Sequence, residues 1–151
     1  MKRLPRYILL IAGLMFVHGC AVYAVYGLYK TVTEVNTALT QVDSSINRIQ
    51  RVLNEGKELH RAAEDGKLIT TLAEKIPTLI QDEVELAAQE KIKTLSGALQ
   101  LSSILFTRNA EEENLNGATK TFNDMKTTAN EFADYMNELS ESADLPLNRR
   151  R

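Results

Sequence analysis

The stretch from Tyr7 to Tyr29, YILLIAGLMFVHGCAVYAVYGLY, contains no Asp, Glu, Lys or Arg. An apolar run of ~18–20 residues or more, rising ~1.5 Å per residue as a helix, covers the ~30 Å hydrocarbon layer of a bilayer. The sequence therefore predicts one transmembrane helix over 7–29. Lys2, Arg3 and Arg6 precede it, whereas Lys30 and then Glu34 follow it. The excess of basic residues on the N-terminal side predicts that residues 1–6 form a cytoplasmic head and that everything from Lys30 onward is exported. Tyr7, Tyr26 and Tyr29 fall where aromatic side chains meet the headgroups.

Within this span, Gly13, Cys20, Ala24 and Gly27 share one face, and small residues let a second membrane helix approach closely. His18 is an ionisable group at membrane depth, which makes it a candidate for a polar contact inside the bilayer. The apolar pattern then runs on into water. Val32, Val35, Leu39, Val42, Ile46, Ile49 and Leu53 alternate by threes and fours, the a/d seam of a coiled coil. No Gly or Pro interrupts the chain between Leu28 and Asn54, so the membrane helix is expected to continue as an exported helix over about 30–64. Its flanking positions are polar, and so narrow a seam also suits contact with a second copy.

The first exported helix is expected to end near Gly56 or Gly66, and a turn is expected at 64–68 with Gly66 as the closing residue. A second helix over 67–107 carries Ile69, Leu72 and Ile76, then a run of fours through Ile80, Val84, Ala88 and Ile92, then Leu95, Leu99, Ser102 and Phe106, with a kink or a short break near Pro77. Arg108 and Asn109 make the second expected turn, with NLNG at 114–117 as its competitor. A third helix over 110–144 would place Glu111, Glu112 and Glu113 in its first turn and hold the seam Leu115, Ala118, Phe122, Met125, Ala129, Phe132, Met136, Leu139 and Ala143. The fold class read from this pattern is all-α: an N-terminal transmembrane helix continuing into an elongated antiparallel three-helix bundle over 30–145, with a basic tail at 146–151. Pairing the first two exported helices about residues 65–66 brings residue 30 level with 101. That would set Leu101, Ile104, Leu105 and Phe106 as an apolar tip beside the membrane.

Composition narrows the function. No Phe, Tyr or Trp occurs between Lys30 and Leu105, which suits a thin bundle filled by aliphatic side chains more than a compact core. Of the 18 basic residues, six lie in the two ends; the remaining 12 face 20 acidic ones, so the body carries about −8. An acidic body argues against nucleic acid, whose phosphates need a basic stripe. Cys20 is the single cysteine, which leaves no intrachain disulfide and no Cys-based metal site. His18 and His60 sit far apart, and no phosphate loop, zinc motif or activated nucleophile is recognisable. Neither enzyme activity nor a cofactor is expected.

Val17-His18-Gly19-Cys20 resembles a bacterial lipobox, in which signal peptidase II cuts before Cys20 and Cys20 becomes lipid-modified. Gly19 and the apolar run before it fit; His18 and the apolar AVYAVYGLY after Cys20 depart from the pattern, and the uncleaved anchor is the preferred reading. The passage of a membrane helix straight into an exported helix resembles, in broad design, the start of bacterial chemoreceptor ectodomains. The expectation is a non-enzymatic, single-pass stalk or scaffold of the bacterial inner membrane, a subunit of a cell-envelope assembly. Its partners would be the membrane and envelope proteins, a second copy of itself among them. A sensing ectodomain that signals through a partner is the alternative.

Overall fold

The computed structural model describes residue 31 and residues 33–80 and 84–142, with side chains through 139. The expectations for the membrane span, for Gly13, His18, Cys20, Ala24, Gly27 and Val32, and for the tail lie outside these residues. Among the described residues the chain is helical throughout and has no strand. Four helices follow one another: α1 (33–55), α2 (Leu59–Ile80), α3 (Leu86–Glu111) and α4 (Leu115–Ser142). Each runs antiparallel to the one before it, and α4 closes the circuit against α1. None of them is long and apolar enough to cross a membrane.

Helix α1 ends at Gly56, ten residues before the expected turn. Gly56 adopts φ +63 and its N–H donates to Val52 O at 3.0 Å, the left-handed stop that glycine adopts without steric cost. Gly66, which was expected to make this turn, lies inside α2 and is buried. It is used for proximity rather than for backbone freedom: a Cβ there would overlap Thr107 Oγ1 and stand 3.0 Å from Phe106 Cδ1 of α3. Arg48 of α1 grips Asp65 of α2 through Nε at 2.9 and 3.1 Å and also reaches Ser45 Oγ at 2.8 Å. That hydrogen bond to Asp65 raises the Arg48 pKa. Lys126 of α4 reaches Gln50 of α1 at 3.4 Å.

The α1 seam Val35, Val42, Ile46, Ile49 and Leu53 is buried, and Leu39 is half-buried. Ala38 and Ser45 are buried beside it, so the covered stripe is wider than the a/d positions alone. Two flanking helices explain the extra width. A small residue and a hydroxyl supplied it, which an apolar count overlooks.

The expected second helix is two helices. α2 passes through Pro77 and stops one turn later at Ile80; α3 starts at Leu86. Proline lacks the N–H that would bond to the carbonyl four residues back, here that of Ala73. The Ser96 hydroxyl of α3 donates to that same oxygen, so the helix survives its proline. The run of fours marked a chain reversal instead of a kink. With that break the three expected passes become four.

At the other end, Glu113 N–H bonds to Ala110 O (3.2 Å) and Asn114 N–H to Asn109 O (2.9 Å), a Schellman closure of α3 with Glu113 at φ 52. Asn114 Oδ1 then accepts Gly117 N–H at 3.0 Å and caps α4. The three glutamates therefore end α3 rather than begin the last helix, which starts at Leu115 and not near 110. Arg108 holds Glu112 at 3.0 Å and Lys67 holds Glu111 at 2.9 Å, offsetting acidic charge at a negative helix end. Between α3 and α4 the rings of Phe106 and Phe122 stand 6.1 Å apart, and Lys91 Nζ lies 4.1 Å over Tyr135. The core is the shared interior of the four helices, with Phe106, Phe122 and Phe132 its largest members.

Candidate functional site

Helix α3 carries two seams on opposite sides. Ile92, Ser96, Leu99, Ser103, Phe106 and Ala110 step by fours and threes and are all buried. Glu90, Thr94, Gly97, Leu101, Ile104 and Arg108 step in the same rhythm and are all exposed. From Thr94 to Thr107 there is no charged residue, so the outer seam is uncharged for nearly four turns. Leu101 is 59% exposed, Ile104 48% and Leu105 44%. A helix needs one apolar stripe to join a bundle; a second, solvated one needs another explanation.

Beside this seam, α2 and α3 frame an open groove of about 400 Å³, lined by Lys67, Thr70, Thr71, Ile104, Thr107, Arg108 and Glu111. Gly66, whose missing side chain lets α2 and α3 approach, packs against the lining residue Thr107. Thr70 Oγ1 and Ser103 Oγ lie 2.7 Å apart across the same contact. Thr107 Oγ1 is buried against Gly66 without a hydrogen-bond partner. At the mouth, Lys67 Nζ sits between Glu111 (2.9 Å) and Glu64 (3.0 Å). Its hydrogen bond to Glu111 raises the Lys67 pKa most, followed by that to Glu64. Three threonines and Ile104 supply the groove with apolar surface together with hydroxyls, and Lys67, Arg108 and Glu111 are its charged members. Such a surface suits an aliphatic side chain.

Of the four residues expected level with the start of the first exported helix, Phe106 is placed by two contacts. Phe106 and Thr107 pack on Gly66, and its neighbour Asp65 pairs with Arg48. From residue 33 to Arg48 α1 rises ~22 Å, so Phe106 stands far from the start of α1. The reversal between Ile80 and Leu86 adds a pass and moves the register. Phe106 also parts from its neighbours: it is fully buried while Leu101, Ile104 and Leu105 face outward. His60 lies 3.8 Å from Glu113 where the two turns at 56–58 and 112–114 meet. Among the described residues no group of three or more His, Cys, Asp or Glu could hold a metal ion.

The reading of the sequence missed Lys67, Thr70, Thr71, Thr107 and Arg108 as neighbours across a groove. A signal was present in KTLSGALQLSSILFTR, whose uncharged stretch between Lys93 and Arg108 carries apolar residues on more than one face. The class defined by these observations is an antiparallel four-helix bundle with an apolar outer seam on its third helix. Comparison with protein-family models, with curated proteins and with solved structures finds no match to this chain.

Proposed function

We propose that the chain is a non-enzymatic scaffold subunit: a helical bundle tethered to a bacterial inner membrane through residues 7–29 and engaging protein through the outer seam of α3. One observation carries this reading: Leu101, Ile104 and Leu105 form an exposed apolar seam on a helix whose inner seam already fills the core. Burying aliphatic surface is worth about 25 cal/mol per Å², and solvated apolar stripes of this kind mark association surfaces.

Two measurements test it. An alkaline phosphatase fused after residue 151 is expected to be active in a bacterial host, and β-galactosidase at the same place inactive; the reverse would remove the export assignment. A photo-crosslinking residue at Leu101 is expected to capture protein in intact membranes, with none captured from the exposed Thr127 of α4. Equal yields at the two positions would reduce the seam to ordinary surface.

The groove between α2 and α3 favours a second reading, a ligand-binding ectodomain that reports through a partner. A small apolar ligand that raises the melting temperature of the wild type, but not of Ile104→Asp, would favour it over the scaffold.

A further inference from the structure

The outer seam of α3 has an order that complements itself when reversed. Its six members read Glu90, Thr94, Gly97, Leu101, Ile104, Arg108. Laid antiparallel against an identical helix, Glu90 meets Arg108, Thr94 meets Ile104 and Gly97 meets Leu101, and each pairing occurs twice. We propose that the occupant of this seam is a second copy of the chain, paired antiparallel through α3 about a twofold axis. This names the partner for the docking surface proposed above and rests on that reading.

Three features fix the direction. An added Cβ at Gly97 meets nothing within 4 Å, so no part of its own chain covers the surface there, and with no side chain at Gly97 Leu101 of the other copy can lie close against the helix. Glu90 and Arg108 sit at the two ends of the seam with opposite signs and five helical turns apart, so they face the same way. Within one chain Arg108 holds Glu112 at 3.0 Å, an exposed contact that docking would exchange for or share with Glu90. Antiparallel pairing sets Glu90 against Arg108 at both ends. Parallel pairing would set Glu90 against Glu90, Arg108 against Arg108 and glycine against glycine, leaving like charges and a void. A twofold interface uses the same patch on both subunits, which is what a reversible sequence of contacts supplies.

The α1 seam offers no competing contact. Val35, Val42, Ile46 and Ile49 are buried by their own chain, so the self-association expected of α1 moves to α3.

The experiment uses the full chain in host membranes, with Cys20→Ser as background. Thr94→Cys and Ile104→Cys are made in separate chains with different tags. Mild oxidation is expected to join the two when they are co-expressed and neither when alone. In an antiparallel pair, like positions lie ~15 Å apart along the axis, beyond disulfide reach. Self-linking of either single variant would overturn the antiparallel order. Glu90→Arg or Arg108→Glu alone is expected to lower the yield about tenfold, and both together in one chain to restore it. Failure of the double reversal to recover overturns the charge pairing and with it the proposal. Leu101→Asp is expected to leave the circular dichroism spectrum unchanged and the detergent-solubilised chain monomeric, while the wild type sediments as a dimer. A monomeric wild type overturns the proposal. Capture of a different protein from Leu101 would also overturn it, yet leave the docking reading standing; no capture would end both.

Discussion

A single serine decides whether α2 can keep its proline. Ala73 O has lost its helical donor to Pro77 and takes the Ser96 hydroxyl instead. Ser96 is 3% exposed, so water does not replace it. Ser96→Ala should therefore cost about 1–3 kcal/mol, the penalty for an orphaned buried carbonyl. Ser96→Ala combined with Pro77→Ala, which returns the N–H, should recover most of it; chemical denaturation of the four proteins measures the coupling. Glu113 makes the opposite case. It holds the left-handed position that glycine occupies at Gly56, and a non-glycine residue there costs roughly 1–2 kcal/mol. Glu113→Gly should stabilise the fold by about 0.5–1 kcal/mol, allowing for glycine's larger chain entropy. A lower midpoint in urea would show that the His60 contact at 3.8 Å matters more than the backbone.

Between elements, the closest approach is that of α2 to α3 at Gly66. Alanine is worth about 1 kcal/mol more than glycine inside a helix, yet the overlap with Thr107 Oγ1 should outweigh it. Gly66→Ala is expected to destabilise by about 1–2 kcal/mol. Thr107→Ala removes an oxygen that has no partner, so it should cost little and reverse much of the penalty in the double variant. Additive effects would place the strain at Phe106 instead. This element also shows what the sequence carries and what it hides. Seams survive averaging over many positions, so helical class and most of the buried faces of α1 and α4 were legible from periodicity alone, although Leu115, expected to open the α4 seam, is exposed. Turns depend on single residues with two uses. Gly56 and Gly66 look equally able to end a helix, and only the packing of Thr107 tells which one does. The Ile80–Leu86 break was written as four-residue spacing, a pattern that a stutter within one helix produces equally well. The groove depends on residues about 35–45 positions apart in sequence, and no local pattern links Lys67 or Thr70 to Thr107 or Glu111.

At the scale of the molecule, counting passes changes where the ends lie. Three helices would carry the chain away from its starting side; four return it. Residues 33 and 142 belong to the same end of the bundle, while the turns at 56–58 and 112–114 share the other. In the tethered arrangement we propose, the last residues of α4 leave beside the anchor, and the alkaline phosphatase fusion reports from that side. The geometry also has a mechanical meaning. Tension applied between the start of α1 and the end of α4 acts at the mouth of two adjacent antiparallel helices. It peels them apart one turn at a time, so the load never falls on the whole seam at once. Tension entering through the side of α3 instead meets the full length of its inner seam in shear. The fold should yield readily when pulled by its ends and resist when pulled by its flank.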